Sequence, residues 1–104
     1  MEAVIVFITA PSHEEAQAIG RDLVETKLAA CVNILSGVQS IFFWQEKLCC
    51  ENEVLMILKT KRSLFESLCA AVKKKHSYVV PEIIAVPVIE GASSYLQWIE
   101  ESTR

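Results

Sequence analysis

The stretch Val38-Gln39-Ser40-Ile41-Phe42-Phe43-Trp44-Gln45-Glu46-Lys47-Leu48-Cys49-Cys50-Glu51-Asn52-Glu53-Val54-Leu55-Met56-Ile57-Leu58 decides the fold. Its first part ends in three consecutive aromatic residues, a composition that favours strand. Gln45-Glu46-Lys47 is the only break before a second extended segment opens at Leu48 and closes in the fully apolar run Val54 to Leu58. Upstream, Ala30 to Leu35 also has strand character, and Ser36-Gly37 punctuates it as a bend or bulge. Together these segments predict one long β-hairpin, longer than a small domain needs for its own core.

Working outward from the hairpin, Ala3 to Ile8 is continuously apolar and β-branched, as expected of a strand buried on both faces, and Pro11 ends it. Ser12 and Glu15 then predict a capping box, with Ala16, Ile19, Leu23 and Val24 at helical spacing. Gly20 sits inside that helix at some cost relative to alanine, which points to close approach of the helix to the sheet beneath it. Beyond the hairpin, Ser63 and Glu66 suggest a second capping box. Phe65, Leu68, Cys69 and Val72 fall on one helical face, and Lys73-Lys74-Lys75 suits the helix C-terminus. Pro81 precedes a strand over Ile83 to Val88. A short last helix, opened by Ser93 or Ser94, carries Tyr95, Trp98 and Ile99 on one side.

The resulting order is β-α-β-β-α-β plus a terminal helix. Two right-handed β-α-β crossovers place the first and third strands at the centre of an antiparallel sheet. Pro87 cannot donate to a ladder and belongs on an edge strand. The expected fold class is α+β: a ferredoxin-like sandwich forming a single domain over residues 1–104, with an added C-terminal helix. Both main helices cover one face of the sheet. The other face keeps apolar side chains that a monomer would expose, so oligomerisation is expected.

The chain has 104 residues, 52% hydrophobic and 22% charged, which allows a real core and argues against disorder. A formal net charge of -3 supplies no field for a phosphate backbone, so nucleic acid is not an expected partner. The apolar run after Glu2 lacks the basic start and cleavage site of a signal peptide and is too short to cross a bilayer. The expectation is a cytoplasmic protein without a membrane partner. Its four cysteines would then be thiols or metal ligands rather than disulfides.

Five segments in register resemble the CutA divalent-cation tolerance family: Ala30-Cys31-Val32-Asn33; Ser40 with Trp44; Glu53 to Thr60; His76, Tyr78, Pro81 and Glu82; and Gly91 with Tyr95, Leu96 and Trp98. The resemblance spans nearly the whole chain. It implies a subunit whose long hairpin extends onto its neighbours in a homotrimer, an assembly similar to that of PII signalling proteins. It further implies a role in tolerance of divalent cations, copper above all, with no established catalytic activity and no organic cofactor. Three positions depart from the family pattern. Ser77 stands where proline is usual, Phe42 where tyrosine is usual, and Glu46 where glycine is common in the hairpin turn. A Cβ is disfavoured at positive φ, so a different turn type is expected there.

The metal donors that the resemblance suggests are Cys31 and His76, since thiolates suit Cu(I) and imidazoles suit Cu(II) or Zn(II). The plainer reading, favoured for Cys31, makes it a small buried strand residue; His76 is as readily a helix-stop residue favoured by the dipole. Cys49 and Cys50 are adjacent on a strand, so their side chains point to opposite faces and cannot easily share an ion. Cys69 falls on the apolar helix face, where packing explains it. His13, in the first helical turn, is expected to be exposed. Trp44, Lys59, Tyr78 and Glu82 form a candidate cleft between subunits, although a Lys59–Glu82 ion pair would explain two of them without any ligand. Lys73 to Lys75 are accounted for by a solvated helix end. A second functional class is a PII-like regulatory trimer taking a small anion between subunits, but the chain has three glycines and no glycine-rich phosphate loop. No nucleophile–base set points to an enzyme.

Overall fold

The computed structural model describes residues 1–104. Strand β1 spans Ala3–Ala10, helix α1 His13–Glu25, β2 Cys31–Trp44, β3 Lys47–Lys61, α2 Phe65–Lys75, β4 Ile83–Pro87 and α3 Ser93–Glu101. The strands form one sheet in the order β2-β3-β1-β4, antiparallel at every junction. The two strands with continuous apolar runs, β1 and β3, are therefore central. Strand β4 is an edge, with Pro87 opposite Val4.

Alternation along the strands separates the two faces of the sheet. Val4, Val6, Ile8 and Ala10 of β1 lie opposite Thr60, Leu58, Met56 and Val54 of β3. All eight are buried, and the apolar ones share a core with Ile19 and Leu23 of α1 and Leu68 and Val72 of α2. Gly20 allows the close approach of α1, because a Cβ there would lie 3.1 Å from Cγ1 of Val32. The opposite face presents cross-strand rows: Cys31, Lys59, Ile5 and Val86, then Asn33, Ile57, Phe7 and Ile84. Its end near Ala3 and Ala30 is covered by Ile99 of α3, and Glu53, at the other end of the same face, is buried beneath the Tyr78 hydroxyl.

The hairpin of β2 and β3 stays paired from Cys31–Lys59 out to Trp44–Lys47, with a register shift between Leu35 and Val38 where Gly37 has φ 83°. It gives the chain its long dimension of 44 Å. The expected change of turn type does not occur: Gln45 and Glu46 both take positive φ, 51° and 65°, without a glycine. This is the two-residue geometry that matches the twist of the flanking strands, and twelve paired rows hold it against the steric cost of two Cβ atoms.

Capping differs from expectation in two places. Ser12 caps α1 by accepting from the Glu15 amide at 3.1 Å, but the Glu15 carboxylate does not return to Ser12 and instead accepts from Ser77 N–H and Oγ–H at 3.0 and 3.1 Å. Ser63 does not cap α2. It lies inside a 3₁₀ turn, Arg62–Leu64, whose backbone already has the helical sense, whereas a capping side chain needs an extended residue. Helix α3 opens at Ser93 as expected, with Ala92 at its N-cap.

Candidate functional site

The sequence-derived site residues fall into three separate regions of one chain. The first lies on the open sheet face at the start of β2. Lys59 is the cross-strand partner of Cys31, and its ammonium donates to Asn33 Oδ1. The half-buried Cys31 thiol points at the same amide oxygen, with Sγ 3.9 Å away. Tyr95 of α3 closes the group. Burial first, and then the nearby charge of Cys31, push its phenol upward, and its ring packs 5.5 Å from that of Trp98. Tyr95 and Trp98 remain about two-fifths exposed, whereas Ile99 on the same helix is buried.

The second region joins the end of α2 to β4. The His76 side chain has no solvent exposure. Its Nε2 lies 2.7 Å from the Thr9 carbonyl oxygen, and its Nδ1 accepts from the Tyr78 amide at 3.1 Å. A carbonyl can only accept, so the proton sits on Nε2 and both ring nitrogens are already bonded to backbone. The Tyr78 hydroxyl donates to Oε2 of the buried Glu53 at 2.8 Å. Burial is the largest influence raising the Tyr78 phenol above its ordinary range, followed by the Glu53 hydrogen bond and the charges of Glu53, Glu51 and Glu15. Glu82, four residues on, is exposed.

The third region is the hairpin tip, where Trp44 pairs with Lys47. Ile41, Phe43 and Leu48 are each at least two-thirds exposed around it.

Cys31 and His76 are not brought together within one chain. Cys31 shares a row with Ile5, whereas His76 is tied to Thr9, roughly 13 Å further along β1 by the strand rise. Trp44 is separated from Lys59 by about 40 Å of β3 on the same arithmetic. Lys59 bonds Asn33 and makes no ion pair with Glu82; the chain's one ion pair is Arg62–Glu2, and Glu15 Oε2 lies 3.4 Å from Nδ1 of the neutral His76. No group of three His, Cys, Asp or Glu side chains could hold a metal ion within the chain. Cys49 is half-buried and points to the Lys47 carbonyl, Cys50 is exposed, and burial pushes the Cys69 thiol up. His13 is exposed, with Nδ1 3.5 Å from Ser36 Oγ. No helix is long and apolar enough to cross a membrane.

Sequence spacing could not have revealed the Glu15–Ser77 and Glu53–Tyr78 contacts, because each joins residues from distant parts of the chain.

The family model for the CutA1 divalent ion tolerance protein matches residues 4–102. The divalent-cation tolerance protein CutA of Thermus thermophilus is 46% identical over 95% of this chain and 96% of that protein. The chloroplastic protein CutA of Arabidopsis thaliana is 41% identical over 98% of this chain. The chain spans only 56% of the length of that plant relative. Among solved structures, CutA1 from Oryza sativa superposes with a TM-score of 0.97 at 39% identity, covering 100% of this chain and 95% of that one. The Thermus thermophilus protein gives 0.96 at 45% identity, covering 98% and 99%. Such agreement in sequence and backbone over nearly the whole length places the chain in the CutA1 divalent ion tolerance protein family.

Proposed function

We propose that this protein supports tolerance of divalent cations as a non-enzymatic, cytoplasmic homotrimer that binds the ion directly, with copper the leading candidate. Family membership supports the tolerance role. The observation that carries the assembly is the apolar surface left open: the uncovered sheet face, with Ile84 54% exposed, and a hairpin tip with Phe43 75% exposed. Trp44, Lys59, Tyr78 and Glu82 can form one cleft only if the tip of one subunit reaches the sheet of another. The number three comes from the family resemblance.

For the ion, the proposed donor is Cys31, a free thiol beside polar groups at the rim of the open face. A soft thiolate there favours Cu(I) over hard cations. His76 is left out of the ligand set because backbone groups already occupy both of its nitrogens. Titration calorimetry with copper on the purified protein and on Cys31→Ser tests the proposal. The expected result is binding at micromolar concentration that the substitution abolishes. Equal affinity in the two proteins removes Cys31 as a ligand, and no heat in either removes direct binding.

A further inference from the structure

The segment after α2 is held by contacts that cannot all survive the addition of a proton. His76 is neutral with its hydrogen on Nε2, because that nitrogen faces the Thr9 carbonyl and Nδ1 accepts from the Tyr78 amide. The Glu15 carboxylate already stands beside the same Nδ1, with Oε2 3.4 Å away. In the neutral state that carboxylate is held by Ser77, through the backbone N–H and the hydroxyl. Protonation turns Nδ1 into a donor. The Tyr78 N–H would then face another N–H at 3.1 Å, while Glu15 gains a charge-assisted bond to the imidazolium.

We infer that Ser77–Glu82 is a proton-operated latch, in which His76 exchanges the Tyr78 amide for the Glu15 carboxylate at Nδ1 and releases the segment carrying Tyr78 and Glu82. The proton comes from solvent onto the Nδ1 lone pair, and no covalent bond between heavy atoms changes. The inference is independent of any metal, since it uses only contacts inside one chain.

Charged and polar groups from each packed element surround the ring. From α1 comes Glu15, and from β1 only the Thr9 carbonyl. From β3 come Glu53 and Glu51, whose charges act on the Tyr78 phenol; the Tyr78 ring is tilted against that of His76 at 4.8 Å. The preceding turn of α2 contributes the exposed Lys73, Lys74 and Lys75, and the segment itself contributes the exposed Glu82. Tyr78 is the moving part. Its amide is released while its phenol stays anchored on Glu53, so the segment pivots rather than unfolds.

The test is a pH titration of the ¹⁵N-labelled full chain from roughly pH 8 to pH 5, following the imidazole nitrogens and the backbone amides. The expected result is an Nε2–H tautomer at the upper end. On acidification, Nδ1 protonation and loss of the Tyr78 amide hydrogen bond then share one midpoint. Glu15→Gln should lower that midpoint by about one pH unit, a tenfold loss of proton affinity. An Nδ1–H tautomer at pH 8 overturns the inference. So does a folded protein whose His76 stays neutral throughout, a Tyr78 amide that ignores the His76 midpoint, or a midpoint unmoved by Glu15→Gln. Should that variant fail to fold, the tautomer and the shared midpoint of the unsubstituted chain still decide.

Discussion

Replacing Tyr78 with phenylalanine removes one oxygen and strands one carboxylate. The Glu53 side chain belongs to a residue only 7% exposed, and the Tyr78 hydroxyl is the donor that reaches its Oε2, at 2.8 Å. That separation lies at the optimum for an O–H···O bond. A hydrogen bond to a charged partner contributes about 1.5–3 kcal/mol, and an acceptor left buried without its donor loses that whole amount. The ring stays in place, so apolar packing is nearly unchanged. The expected loss is about 2 kcal/mol at neutral pH. With an m-value of roughly 1–3 kcal/mol/M, the urea midpoint should fall by on the order of 1 M. The measurement must hold protein concentration fixed, because the proposed trimer would make stability depend on it. A double-mutant cycle with Glu53→Ala isolates the pair: the two losses should be strongly non-additive, with a coupling of about 1–2 kcal/mol. A loss below about 0.5 kcal/mol, or strict additivity, would refute the view that Tyr78 keeps Glu53 buried.

Other outcomes follow from the same contacts. The Tyr78 phenol is raised in the folded chain, so the unfolded chain loses its proton first; stability should be fully present below the ordinary tyrosine range and decline as pH rises above roughly 10. Tyr78→Phe should flatten that alkaline limb in pH-dependent denaturation. Thr60→Val keeps the shape but removes the hydroxyl that donates to the Leu28 carbonyl at 2.6 Å inside the core, and should cost about 1–2 kcal/mol by chemical denaturation. Glu46→Gly relieves a Cβ at φ 65° and should stabilise by about 0.5–1 kcal/mol, the steric gain exceeding the added freedom of the unfolded chain. A decrease in thermal stability would contradict the strained-turn account.

Much of the fold was legible because its signals are local. The apolar runs of Ala3 to Ile8 and Val54 to Leu58 identified the central strands, Pro87 identified an edge, and Gly20 identified the close helix–sheet approach. The second capping box misled because Ser63 matches the pattern but its backbone is committed to a 3₁₀ turn leaving β3, something that spacing alone does not encode. The hairpin turn misled for the opposite reason. Local preference argued against positive φ at Glu46, and the long ladder on either side overrode it. The site was less legible than the fold. His76 had the composition of a ligand, and only the three-dimensional structure shows Thr9 and Tyr78 occupying both of its nitrogens. Glu15 had the spacing of a cap, and its partner proved to be Ser77, 62 residues away.

Native mass spectrometry of the full chain, titrated with copper under reducing conditions, confronts the proposed assembly and the proposed ion in one measurement. The account predicts a trimer at micromolar concentration that takes up copper in proportion to its subunits and loses that uptake in Cys31→Ser while remaining trimeric. A monomer at that concentration, or a trimer whose copper uptake is absent or unaffected by the substitution, would contradict it.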